Sequence, residues 1–244
     1  MLILHHLGLG DHIICHGLVR EICESNKDDI VHIFCKPHNE VPVRFMFQDI
    51  PNLDILIGYD NDAWQFKRDN ENTMNCIEVG FSKMDLNSGE SFDWQFYQHA
   101  NVPFDKRWDN FKVKTVQRLT QQSEVFKNYK ERFGIKKGNY IFVHDDESRG
   151  LSINPNNLPP DAKIVRPEKG ITDNIFDFYM LIRYAKEVHC MDSSFKNLIE
   201  SMFMMDSGIL SHFGQPDLYY HTYVRGNSPM FVSQSRCNWR VIKE

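Results

Sequence analysis

The sequence predicts an α/β chain of two halves, each a parallel sheet with crossover helices. Three observations carry this. Short apolar runs alternate with longer amphipathic stretches, and the alternation occurs twice. A glycine turn opens the first series, and a serine-rich helix start comes late in the second. The segments between apolar runs are long enough for helices, as parallel pairing requires.

In the first half, the apolar run Leu2–Leu7 ends in Gly8-Leu9-Gly10-Asp11. An amphipathic stretch follows, with Ile13, Ile14, Leu18, Val19, Ile22 and Cys23 at helical spacing. Further strands are expected at 30–35, 53–57 and 76–79. The middle changes character: 91–101 reads as an aromatic-rich helix, and 124–133 as a helix stopped by Gly134. The second series then expects strands at 140–144, 163–166, 187–191 and 209–212, and helices at 175–184 and 194–205. The halves join near residues 110–120. The expected domains are 1–115 and 116–229, with the tail 230–244 returning to pack on the first.

The 244 residues are 41% hydrophobic and 25% charged, a globular composition large enough to bury a core without disulfides. The formal net charge is −5 and no long basic run occurs, which argues against nucleic acid as a partner. None of the six cysteines forms a CxxC pair, so buried free thiols are expected rather than a zinc site. The start MLILHHLGLGDH has neither a basic leader nor a long apolar core, so a cytoplasmic protein without a transmembrane segment is expected.

Three motifs are placed to carry chemistry. Gly8 and Gly10 let the chain turn tightly and let a ligand approach the helix that begins near Asp11 and His12. The dinucleotide fingerprint fails because Ile13 stands at the third glycine position. Asp11 is either a carboxylate complementing the helix dipole or a catalytic group. At 187–199, an apolar strand ends at Asp192, and Ser193 and Ser194 open a helix. This is either an ordinary serine cap or a diphosphate site built on free backbone N–H groups. Beyond the strand ending at His144, Arg149 either clamps phosphate oxygens or pairs with its acidic neighbours. Asp60-Asn61-Asp62 matches a metal-binding DxD in letters, but it reads as a helix start, and no metal site is expected. His5, His6, the aromatic set Phe92, Trp94, Phe96 and Tyr97, and the methionines Met202, Met204 and Met205 read chiefly as structural.

The opening strand with Gly10-Asp11 and an apolar helix is similar to the start of the heptosyltransferase-like GT-B glycosyltransferases. Asp192-Ser193 resembles that family's Asp-Thr-Gly diphosphate loop; Ser194 stands at its glycine and Asn197 at its usual histidine. Arg149 lies in a loop resembling the phosphate-contacting one. The resemblance implies a GT-B-like fold of two Rossmann-like domains whose parallel sheets face across a cleft. It implies transfer of a sugar from a nucleotide-diphosphate sugar to a glycan or glycoconjugate hydroxyl, inverting and metal-independent, with no cofactor besides the donor substrate. Asp11 would be general base. Arg149, Asp192, Ser193, Ser194 and Asn197 would hold the donor diphosphate, and Gly8, Gly10 and His12 the acceptor side. A nucleotide-sugar epimerase or hydrolase of this fold, or a non-catalytic carbohydrate- or nucleotide-binding protein, stands as the alternative.

Overall fold

In the first sheet, β1 (Leu2–Leu4) lies centrally, with β2 (Val31–Cys35) on one side and β4 (Cys76–Glu78) on the other. β3 (Leu53–Ile57) extends it beyond β2, giving the order β3-β2-β1-β4 with every pairing parallel. This computed structural model describes residues 1–80, 83–206, 215–222 and 233–243, excepting the side chains of 148 and 204–206. The described residues fall into two units, one drawn from Met1–Val113 and Arg225–Gln234, the other from Lys114–Val224 and Ser235–Glu244.

In the first unit, α1 (Leu9–Ile14) and α2 (His16–Ser25) follow β1, and α3 (Glu40–Phe47) joins β2 to β3. α4 (Asp60–Asp69) joins β3 to β4, and α5 (Phe92–His99) and the short α6 (Lys106–Asp109) complete the unit. Alternation along β1 sends Leu2 and Leu4 to one face, where they pack with Leu7, Phe34 and Ala63. Asp60-Asn61-Asp62 does open α4: Tyr59 N–H donates to the Asp62 carboxylate at 2.7 Å, as in a capping box. Phe96 and Tyr97 are core, and the Tyr97 hydroxyl donates to the Ile14 carbonyl while accepting Leu18 N–H. α2 and α6 touch backbone to side chain position at Gly17, where a Cβ would collide with the Lys106 carbonyl, so only glycine fits.

In the second unit, α7 (Leu119–Phe133) ends at Gly134 in the left-handed region, φ 61°, as its sequence predicts. β5 (Ile141–His144), β6 (Ile164–Val165) and β7 (Glu187–Cys190) follow the expected runs. The expected helix at 175–184 is a 3-10 turn over Ile175–Phe178 leading into α8 (Tyr179–Arg183), because the Asn174 side chain accepts Phe176 N–H and tightens the start. α9 (Ser194–Asp206) comes next. The strand expected at 209–212 lies outside the described residues. β8 (Asp217–Thr222) and β9 (Trp239–Lys243) complete a parallel sheet of order β6-β5-β7-β8-β9.

The tail differs from the expectation. Gln234 meets the first unit, its N–H donating to Asp93 at 3.0 Å and its carbonyl accepting from Arg107 at 2.9 Å. Trp239–Lys243 instead pairs in parallel with β8 as the edge strand of the second sheet.

Candidate functional site

Each sheet has one point where the strand order reverses: beside β1 in the first, and between β5 and β7 in the second. Loops at the carboxyl ends of strands at such a point form the ligand-binding position of open α/β sheets. Gly8–Asp11 follows β1, whereas His144–Arg149 and Met191–Ser194 follow β5 and β7. The sequence-chosen residues therefore cluster at both switch points.

In the first unit the helix starts earlier than the sequence indicates. Gly8 is the cap and Leu9 the first residue, so Asp11 lies within the first turn. Its backbone carbonyl accepts Cys15 N–H at 2.8 Å, and its carboxylate folds back over Gly8, where Oδ2 would stand 2.5 Å from an added Cβ. Glycine at position 8 thus makes room for the carboxylate. Asp11, Gly8 and Gly10 keep part of their surface exposed.

His12 corrects an expectation. It has no exposed surface, so the structure places it in the interior, not on an acceptor surface. Its ring packs edge-on against His5 with centroids 4.6 Å apart, and neither ring nitrogen has a hydrogen-bond partner. Burial holds the His12 ring well below the ordinary imidazole range and lowers His5 to about 4. His6 is half-buried.

In the second unit, Asn197 N–H donates to the Ser193 carbonyl at 3.3 Å, so Ser193 stands at the cap of α9. Ser193 and Ser194 are half-buried, which leaves the start of a 13-residue helix accessible. Arg149 is 45% exposed and ion-pairs with buried Asp146; the same nitrogen donates to the Asp192 carbonyl at 3.2 Å. It therefore pairs with an acidic neighbour and also ties the β5 loop to the β7 loop. That loop is closed by reciprocal backbone bonds between Asp146 and Leu151, each 3.1 Å. Asp145 fixes its far side, accepting Ile153 N–H at 2.8 Å and the Arg166 Nε–H at 2.7 Å.

Asp192 is buried, and desolvation pushes its carboxyl above the usual carboxylate range against the pull of Lys196 and Arg149. Asn197 is buried too, with Oδ1 unbonded. Two neighbours, His144 and Lys196, are given no role by sequence reasoning. His144 Nδ1 lies 3.1 Å from Ser193 Oγ, and its ring packs on Phe195 with centroids 4.2 Å apart. Lys196, equally hidden, pairs with Glu200 at 2.9 Å beside the Tyr220 ring, and Asp146 holds Arg149. The only sequence signals were His144 ending a strand and the i, i+4 spacing of Lys196 and Glu200. Among the described residues no group of three or more His, Cys, Asp or Glu stands where it could share a metal ion. The six cysteines are all free thiols.

Two units with parallel sheets and loops gathered at their switch points define an α/β protein of the two-Rossmann-like-unit type. The solved structure of the glycosyl transferase family 9 from Veillonella parvula DSM 2008 is similar to this chain, with a TM-score of 0.57 at 9% identity, covering 99% of this chain and 86% of that one. That likeness establishes the fold. No protein-family model and no curated protein matches the sequence.

Proposed function

We propose that the protein is a glycosyltransferase acting in the cytoplasm, moving a sugar from a nucleoside-diphosphate sugar to a glycan or glycoconjugate hydroxyl with inversion. The observation that carries this reading is the second switch point, where Arg149 bridges two strand-end loops beside the accessible start of α9. Backbone N–H groups at Ser193 and Ser194 present partial positive charge, and Arg149 adds a full one. Asp192 and Asn197 line the same loop and helix turn. Together these groups are suited to the negative charge that develops on a departing diphosphate, in place of a metal ion or any other cofactor.

Asp11 serves as base on the acceptor side. It takes the proton of the acceptor hydroxyl as that oxygen attacks the anomeric carbon, while the bond from that carbon to the diphosphate oxygen breaks. Gly8 and Gly10 shape the backbone around it. The fold shared with a glycosyl transferase supports the transferase reading as a class.

A thermal-shift panel of nucleoside diphosphates and their sugars tests the reading. A bound donor at ~100 times its dissociation constant adds about 2.7 kcal/mol of stability. Transfer with that donor is expected to persist in EDTA. Stabilisation by none of the nucleotides would sink the assignment, and activity lost in EDTA and restored by Mg²⁺ would remove its metal-independent form.

A further inference from the structure

We propose that His144 takes up a proton as the donor diphosphate docks, and passes that positive charge to the leaving group through the Ser193 hydroxyl. This rests on the donor-site reading above. In the protonated form, His144 Nδ1–H donates to Ser193 Oγ, and the Ser193 hydroxyl donates to a phosphate oxygen. The proton comes from solvent and returns there when the nucleotide leaves.

Geometry provides the path. His144 ends β5, Ser193 caps α9, and the two atoms stand 3.1 Å apart. Phe195 holds the imidazole in place by ring contact. Charge provides the reason. Each cation around the loops is set against a carboxylate: Arg149 against Asp146, Arg166 against Asp145, and Lys196 against Glu200. The cations are thus already matched by carboxylates, with Asp192 buried beside them, and protonation of the imidazole supplies new positive charge for an incoming diphosphate.

The charged groups acting on His144 are Asp145 and Asp146 beyond its own strand, and Cys190 is paired with it in register on β7; on the neighbouring loop, Lys196 and Arg149 act on Asp192. Burial lowers the imidazole to about 4 against the opposing pull of Asp145 and Asp146, so the ligand-free ring is neutral at pH 7. An incoming anion raises it.

The test is calorimetry of UDP-glucose, GDP-mannose and ADP-glucose in buffers of different ionisation enthalpy. Their diester phosphates do not titrate near neutrality, so a counted proton belongs to the protein. Wild type is expected to take up a fraction of a proton approaching one at pH 6, with affinity rising up to about tenfold per pH unit from pH 8 to pH 6. His144→Gln keeps a hydrogen-bonding group and is expected to bind without uptake. Ser193→Ala is expected to keep His144 but reduce the uptake. An NMR titration of the His144 ring in wild type, with and without ligand, gives the same answer without a variant. Binding without uptake, an unmoved His144 titration, or full uptake in His144→Gln would overturn the proposal and leave the donor site standing. Binding of none of the three sugars would remove both.

Discussion

The two switch points share a topology and differ in how they handle charge. Beside β1, three buried imidazoles, His5, His12 and His16, are kept neutral by burial, next to buried Asn39 and the Glu78 carboxylate that Lys67 pairs. Between β5 and β7 the polar groups are charged and matched, with Arg149, Arg166 and Lys196 each against a carboxylate. The imidazoles near Asp11 are uncharged, while Arg107 and Lys36 bring positive charge close to Cys15 and His12. A matched set around Ser193 holds cations in fixed positions ready for an anion. Under the proposed function, the first loop would serve acceptor activation and the second leaving-group stabilisation.

The strongest test of this division is Asp11→Asn. It preserves size and removes proton acceptance, so loss of a general base is expected to lower transfer by about 10²–10⁴. Donor affinity, assigned to the other unit, is expected to stay unchanged. A stable variant with normal transfer would reduce Asp11 to a dipole-complementing group worth at most ~1 kcal/mol.

Next come two of the buried ion pairs among the described residues. Asp93 and Arg107 are almost fully buried and hold the Gln234 peptide, while Lys196 and Glu200 are equally hidden in the second unit. Asp93→Ala is expected to cost about 3–5 kcal/mol in urea unfolding, since it leaves a buried guanidinium that does not shed its proton. Glu200→Ala is expected to cost less, because an ammonium relieves the same burial by losing its proton. Equal losses would show that something other than the stranded charge sets the cost.

Acid provides a smaller contrast. His5 is lowered to about 4, His16 to about 3 and His12 well below the ordinary imidazole range, all chiefly by burial. The unfolded chain binds these protons near pH 6.5, so it holds more of them than the fold does. The stabilisation is therefore complete above pH 6.5 and declines as pH falls from there toward the folded values. Each imidazole contributes up to about 1.4 kcal/mol per pH unit in that window. Urea midpoints at pH 7 and pH 5 are expected to converge in His12→Phe relative to wild type. An unchanged pH dependence would mean that His12 is not held neutral in the fold.

Much of this was legible in the sequence, and the misses have physical causes. Apolar runs marked β1, β2, β3, β5 and β7, most cleanly β1 and β5, whose central positions are buried and carry apolar residues. β9 was taken for a returning tail: an edge strand with Arg240 and Lys243 facing out lacks that continuity. Asp11, Ser193 and Arg149 stood out because glycine and serine punctuate strand ends. His12 was misplaced because its neighbour Asp11 is partly exposed, and sequence adjacency does not reveal which side of a helix turns inward. His144 was passed over because its partner, Ser193, is distant in sequence and reaches it only through the parallel pairing of β5 with β7.

The smallest expected effect concerns Arg149, and it separates the two roles its geometry combines. As a phosphate clamp, its loss weakens binding only of ligands that carry the diphosphate. As a partner of buried Asp146, its loss strands a carboxylate and loosens the β5 loop for every ligand. Because the side chain is 45% exposed, solvent screens its charge, and Arg149→Ala is expected to weaken nucleoside-diphosphate binding by about tenfold while leaving the parent nucleoside unchanged. Arg149→Lys is expected to fall between, since an ammonium restores the charge but on a shorter, more strongly hydrated head in place of the guanidinium nitrogen that donates to both Asp146 and the Asp192 carbonyl. Dissociation constants of one nucleoside and its diphosphate, measured on the three proteins, decide it. Parallel losses for both ligands would return Arg149 to a loop-tying role and shift the anion site onto the α9 amides.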